Sequence, residues 1–282
     1  MPSYMVTAIN VGSFNLGEAD RVLSIFTAER GLIKAIAKGA RKPGTKMAGR
    51  SDILCVNELL LSRGRTFEII TQAQTVDSFP KLRSDLTRLS YGLYYAELTS
   101  NFAQGLEEDP KGYLDFLVDA LKQLSQIELS PIHLCLNFQL KLLEFLGFKP
   151  ELTYCIYCRD VLHDYNLAKF NVELGGIVCT ACFQKGRQLQ VSESQPDHDE
   201  LEHEHGLLSR GVHITPLVWK TIILAEAGGV QISAHKTAGA VSEQAQRLMQ
   251  AYVEHKAGKK LKSLDLLGKF KDLEVGKQSA ES

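Results

Sequence analysis

A chain of 282 residues can bury a sizeable core, and at about 100 to 200 residues per domain it makes two domains, or three if a small module is set into them. Its 44% hydrophobic and 23% charged residues are those of an ordinary folded protein, and no stretch approaches the about 18 uninterrupted apolar residues of a membrane span, so no membrane partner is expected. The net charge of −1 excludes a uniformly basic nucleic-acid binder, but not one whose charges are segregated.

The chain opens MPSYMVTAIN, without the positively charged start and apolar run of a secretion signal, and a cytoplasmic setting is expected. The first 80 residues read as short strands at 4–12, 20–27, 32–38, 53–61 and 66–76, each bounded by Gly, Asn, Pro or charged turns. Phe67, Ile69, Thr71 and Ala73 alternate with Glu68, Ile70, Gln72 and Gln74, and SRGR at 62–65 reads as a tight hairpin turn before them. Five such strands with no long helix between them predict a five-stranded OB-type β-barrel over 1–80. Within it, Arg30, Lys34, Lys38, Arg41, Lys42, Lys46 and Arg50 put seven positive charges and no acid into 21 residues. A strand carrying Lys34 and Lys38 and running into GARKPGTKMAGR predicts a flexible cationic loop that tracks phosphates without reading bases, and Arg63 and Arg65 offer a second phosphate contact. A solvated cationic face is the plainer alternative. Tyr4, Phe14, Phe26 and Phe67 are candidates for stacking on bases, with core packing the favoured reading of each.

From about residue 81 the period becomes helical. Tyr113, Phe116, Leu117, Ala120, Leu121 and Leu124 follow the spacing of an amphipathic helix, 85–103 and 131–146 behave similarly, and Gly147 and Pro150 stop the last of these. Next come two C-x2-C pairs, Cys155 with Cys158 and Cys179 with Cys182, with 20 residues between the inner members. Each pair lets two thiolates converge on one ion, and together they complete a tetrahedron of sulfur; a single structural zinc suits that shape best, with iron and bridged or buried thiols as the alternatives. Four thiolates leave no open coordination position, so the site is expected to be structural rather than catalytic. Between the pairs, a strand or two turning at Gly175 and Gly176 is expected, with His163 an exposed loop residue or a partner beyond the ligand shell. Cys55 and Cys135, set among apolar residues, read as buried small hydrophobes. Residues 192–205 hold six acids and three histidines, His198, His203 and His205, and read as an acidic flexible insertion. Helices are expected at 215–227 and 238–256, the second with a stripe of Val241, Ala245, Leu248, Met249, Tyr252 and Val253, and Lys256, Lys259, Lys260 and Lys262 near its end complement the helix dipole. The expected division is therefore a barrel at 1–80, a helical domain at 81–150 and 211–282, a metal module at 151–190 and the acidic stretch at 191–210.

The segments GEADRVLSIFTAERGLIKAIAKGARKP, VNELLLSRGRTFEIITQAQTVDSF, LGFKPELTYCIYC and GGIVCTAC, with LKSLDLL in the tail, resemble in order and spacing the bacterial recombination mediator family RecO. The resemblance implies an N-terminal OB domain and a helical domain carrying a zinc finger, with no enzymatic turnover. It further implies binding of single- and double-stranded DNA, annealing of complementary strands, and cooperation with RecR and the single-stranded DNA-binding protein SSB to help load RecA, as in RecF-type recombination. Two departures stand out: Arg159 and Phe183 follow the knuckles where the family often has glycine, and the acidic stretch looks like an insertion. The alternatives from other classes are a zinc-stabilised nuclease holding magnesium at Glu18 and Asp20, and an RNA-binding adaptor.

Overall fold

The alternation in the first 80 residues is realised as five strands, β1 (Ser3–Leu16), β2 (Asp20–Thr27), β3 (Gly31–Ala37), β4 (Val56–Ser62) and β5 (Glu68–Asp77). In the computed structural model, which describes residues 3–192, 211–228 and 238–263, they close into a barrel in the order β1-β2-β3-β5-β4. Closure comes from β4 pairing back on β1 and from a short parallel contact of β3 with β5 at Ala35↔Glu68 and Ile36↔Ile69, the OB-type arrangement that the strand count predicted. Val6, Ala8, Leu23, Ile25, Leu59 and Leu61 fill the barrel.

Two bulges decide which side chains face inward. On β1 the pairing slips between Asn10 and Gly12, so Val11 is an extra residue opposite β2. Tyr4, Val6 and Ala8 point into the barrel, but Phe14, of the same parity, is turned outward. On β5 a second slip sets Ile70 opposite Leu61 and Gln72 opposite Leu60. It puts Ile70 and then Ala73 inward, and replaces the simple alternation expected for this strand. The connection before β5 is also longer than a tight turn, spanning residues 63–67. Gly64 is required there, because a Cβ would stand 2.1 Å from the Phe67 carbonyl oxygen.

Between β3 and β4, where the sequence predicts a flexible loop, lies a five-residue helix, α1 (Lys46–Arg50). The segment is built into the barrel instead. Met47 packs against the barrel core, the Gly39 N–H donates to Asp20 Oδ1 at 2.8 Å, and the Arg41 N–H donates to the Ala19 carbonyl at 2.9 Å. Asn10, fully buried at the β1 bulge, donates through Nδ2 to the carbonyls of Arg50 and Asp52, both at 2.8 Å.

The chain divides into two compact units, Met1–Pro131 with Leu261–Ser282, and Ile132–Lys260. In the first, helices α2 (Pro80–Arg83), α3 (Leu86–Asn101) and α4 (Pro110–Leu124) follow the barrel directly. Asp85 and Asp109 cap α3 and α4 by accepting the N–H groups of Arg88 and Gly112, and Pro110 sits at the first position of α4, where its missing N–H costs nothing. Helix α4 meets β2 through an edge-to-face pair of Phe26 and Tyr113, both fully buried, with centroids 5.2 Å apart. Burying each such ring contributes about 1.5–3 kcal/mol. Buried Arg88 donates to the carbonyls of Leu124, Gln126, Ile127 and Leu129 at 2.7–2.9 Å, pinning the connection after α4.

The second unit is built from α5 (Pro131–Phe145), the hairpin β6 (Leu167–Asn171) and β7 (Gly176–Cys179), α6 (Thr180–Ser192), β8 (Val212–His213), α7 (Pro216–Glu226) and α8 (Ala238–Ala257). The strands form an antiparallel sheet in the order β7-β6-β8. The expected stripe of α8 buries Ala245, Leu248, Met249, Tyr252 and Val253, and Tyr252 meets Phe170 of β6 edge to face at 5.5 Å. No helix among the described residues is long and apolar enough to cross a membrane. The acidic stretch, with its three histidines, lies outside the described residues.

Candidate nucleic-acid interface and metal centre

The metal centre grows from two local structures. In the first knuckle the Cys155 N–H donates to the Asp160 carbonyl at 2.8 Å and the Arg159 N–H to the Cys155 carbonyl at 3.0 Å, folding residues 155–160 into a closed turn. Arg159 takes φ +61°, the left-handed conformation in which a glycine is at ease, so the turn keeps its geometry without one. Its side chain is held by Glu151, Nη1 to Oε2 at 3.3 Å, and lies over the Tyr154 ring at 5.5 Å. The second knuckle needs no such turn: Cys179 ends β7, and Cys182 and Phe183 lie in the first turns of α6. The hairpin between the knuckles turns at Gly175 (φ +72°). At Gly176 a Cβ would come 2.3 Å from Ile156 Cγ2, so both glycines are needed to bring the knuckles together.

The four sulfur atoms all lie within 4.8 Å of one another, with Cys158 and Cys179 3.7 Å apart, a cluster able to hold a metal ion. Backbone N–H groups point at it, from Cys179 to Cys155 Sγ at 3.4 Å and from Cys182 to Cys179 Sγ at 3.5 Å. Burial raises the Cys155 thiol, but the N–H groups of Cys179, Cys158 and Tyr157 outweigh it and bring the pKa down to about 7. Burial, helped by the Cys179 and Cys155 sulfurs and opposed by the hydrogen bond with Cys158, pushes Cys182 up to about 11. Four thiolates at this spacing repel one another, and a central cation removes the repulsion. His163 is exposed and stacked on Tyr165 at 5.2 Å, outside the cluster. Cys55 and Cys135 are buried with thiol pKa values raised by that burial, as expected for inert core residues.

The basic residues have distinct surroundings. Arg30, at the β2–β3 turn, donates through Nη1 to the Tyr4 hydroxyl at 2.8 Å and faces Glu68 at 3.8 Å, so much of its charge is engaged. Arg41 Nη1 donates to the Gly17 carbonyl at 2.6 Å while the side chain stays exposed. Lys34, Lys38, Lys42 and Lys46 are exposed and form no ion pair among the described residues, and Arg50 is half-buried at the end of α1. Arg63 and Arg65 are exposed on the connection into β5, whose first residues pair with β3 beside Lys34. Exposed cations thus stand on β3, on the segment after it and on the β4–β5 connection. Lys256 donates to the Glu173 carbonyl at 3.4 Å and lies over Phe148 and Tyr252, and the Lys262 N–H is capped by the Glu97 carboxylate at 3.0 Å.

Of the four aromatics weighed for stacking, Phe26 is fully buried and Tyr4 packs against the barrel core. Phe14 departs from the favoured core reading: it is 46% exposed and meets half-buried Phe67 edge to face, with centroids 6.4 Å apart. The bulge at Val11, invisible to simple alternation, is what turned it outward. Asp20, weighed as a magnesium ligand with Glu18, is committed to the Gly39 N–H. Among the described residues the four cysteines are the one group of three or more metal-ligating side chains.

A family model described as the N terminal of Recombination protein O matches residues 1–79, and one described as its C terminal matches residues 83–195. The DNA repair protein RecO of Acaryochloris marina is 41% identical over 155 residues, 54% of this chain and 52% of that one, so the chain spans about half the length of that relative. The RecO of Acetivibrio thermocellus is 30% identical over 194 residues, 68% of this chain and 76% of that one. The RecO of Desulforamulus reducens is 29% identical over 279 residues, 98% of each chain. The first model ends two residues after β5 and the second spans both knuckles, so sequence likeness and architecture coincide. With its closed five-stranded barrel, helical region and four-cysteine cluster, the chain belongs to the RecO family of DNA repair and recombination proteins.

Proposed function

We propose that the protein is a recombination mediator that binds single- and double-stranded DNA without sequence preference, anneals complementary strands, and works with RecR and SSB to help load RecA on coated strands. The observation that carries this reading is the cationic face of the barrel: Lys34, Lys38, Arg41, Lys42 and Lys46 are exposed on a segment fixed to the barrel, in a stretch without a single acid. Charges spread along a backbone segment meet phosphates rather than base edges, and such contacts give affinity without sequence choice. Neutralising two strands at once lowers their mutual repulsion, so annealing needs no catalytic group.

Arg50, Arg63 and Arg65 extend the face, while Arg30, drawn toward Glu68 and Tyr4, contributes less than its charge suggests. If six of these charges meet phosphates, the log–log slope of affinity against salt is about −4 to −5. The cysteine cluster is assigned one structural zinc. A tetrahedron with Zn–S bonds of about 2.3 Å has edges of about 3.8 Å, which the 3.7 Å separation of Cys158 and Cys179 fits. Four sulfur ligands saturate the ion, so its role is to hold Cys155, Cys158, Cys179 and Cys182 in one fold element rather than to activate water.

The reading is tested by measuring binding of a labelled single strand, the matching duplex and an RNA of the same sequence across a salt series. Affinity for both DNA forms with a steep salt dependence supports it. Preference for RNA would call for 2′-hydroxyl contacts and replace it with an RNA adaptor.

A further inference from the structure

The outward turn of Phe14 gives the barrel a second surface, distinct from its charges. Phe14 pairs across the sheet with Val22, Val22 with Ile36, and Ile36 with Ile69, so one apolar row crosses β1, β2, β3 and β5, in which Val22 is fully buried, Ile36 and Ile69 are half-buried and Phe14 is the exposed member. Phe67 closes the end of this row against Phe14, the two rings tilted by 74°. Phe14 is 46% exposed and Phe67 half-buried, so ring surface at both residues is accessible to a ligand.

The surroundings specify the chemistry of that ligand. Lys34 Nζ stands 6.0 Å from the Phe14 ring centre. Phe67 leaves a connection that carries exposed Arg63 and Arg65 and no acid, and Gly64 packs too tightly on the Phe67 carbonyl for that connection to be rebuilt freely. Aromatic rings flanked by cations suit a ligand with flat apolar faces strung on a negatively charged backbone, which is unpaired nucleic acid. A duplex hides its base faces in the stack, so it can use the cations but not the rings.

We propose that Phe14 and Phe67 form a stacking platform for the bases of single-stranded DNA on the outer face of the barrel, with Lys34, Arg63 and Arg65 holding the adjoining phosphates. This rests on the DNA-binding reading and adds to it a reason for the chain to favour unpaired strands. The charges supply affinity common to all DNA, and the platform supplies the part that requires exposed bases.

The experiment compares three labelled probes, a dT strand and an abasic strand of equal length and charge and a duplex of the same length, with the wild-type full chain, Phe14→Ala, Phe67→Ala and Phe14→Trp. Stacking predicts that Phe14→Ala weakens binding of the dT strand by about 5- to 150-fold while leaving the duplex and the abasic strand within about twofold. Phe14→Trp, which keeps a flat ring at an exposed position and so tests stacking without a folding risk, retains affinity for the dT strand and loses fluorescence when it binds. Equal losses on all three probes, or no loss on any, would overturn the platform while leaving the cationic face as the binding surface. A wild-type chain that bound none of the probes would overturn both readings.

Discussion

Replacing Asn10 by alanine tests whether the cationic face is held by the barrel. Its Nδ2 hydrogens reach the carbonyls of Arg50 and Asp52, both at 2.8 Å, from a fully buried position some 40 residues away in sequence. Each net hydrogen bond contributes about 1 kcal/mol, while a buried carbonyl left without any donor costs about 1–3 kcal/mol. Here neither carbonyl is stranded: Arg50 keeps the Asn57 Nδ2 donor at 3.1 Å, and Asp52 keeps the Cys55 N–H at 3.2 Å. The Asn10 Oδ1 atom is itself buried without a partner, so its removal returns part of the loss. The expected cost is therefore about 2 kcal/mol rather than the larger penalty. For a unit of this size that lowers the melting temperature by roughly 4–8 °C. Because the lost bonds tie residues 50–52 to β1, limited trypsinolysis within residues 38–50 should rise about fivefold or more at unchanged charge. Unchanged stability with unchanged cleavage would refute the tether. Lower stability without faster cleavage in that segment would show that Asp20 and Gly17, through Gly39 and Arg41, suffice to hold it.

Cys179→Ser should abolish stoichiometric zinc and lower the stability of the unit spanning residues 132–260 while leaving DNA affinity of the barrel within about threefold; retained zinc at full stability would contradict the assignment. At Arg159 the left-handed backbone costs about 1–2 kcal/mol. Arg159→Gly should therefore hold zinc about as well as wild type in a chelator competition, its backbone relief offsetting the lost Glu151 contact. Arg159→Val should hold it about 10-fold less well, and equal affinities for Gly and Val would remove backbone strain from the account. Burial lowers the pKa of His133, whose Nε2 lies 2.6 Å from Ser242 Oγ. A depressed folded value means that the unfolded chain binds the proton first. The contribution of neutral His133 is then present above the unfolded pKa of about 6.5 and is lost as pH falls below it. Denaturant midpoints for the 132–260 unit should decline across that window in wild type and less in His133→Gln; parallel curves would refute the assignment.

Much of this architecture is legible in the residues because it is local. The five strands declare themselves by alternation, α4 by the spacing of Tyr113, Leu117, Leu121 and Leu124, and the metal cluster by two C-x2-C turns whose geometry is set within four residues each. What escapes the sequence is set by single-residue slips or by distant partners. Phe14 has the parity of the inward-facing Tyr4, Val6 and Ala8, and only the extra residue at Val11 reverses it. Helix α1 is five residues long, too short for a helical period to register, and its place depends on Asn10 and Asn57 reaching it from β1 and β4. Arg159 shows the same limit from the other side. A turn that favours glycine can be held by another residue when Glu151 and Tyr154, both before it in the chain, grip its side chain.

The most direct test of the mediator account is the rate of annealing of complementary oligonucleotides across a salt series, for wild type and for a variant with Lys38, Arg41 and Lys42 all changed to alanine. The account predicts wild-type annealing that falls steeply with salt, and a variant whose annealing collapses and whose binding slope is shallower by about 2 to 3. Annealing by the variant as fast as by wild type, or no annealing by wild type at any salt, would contradict it.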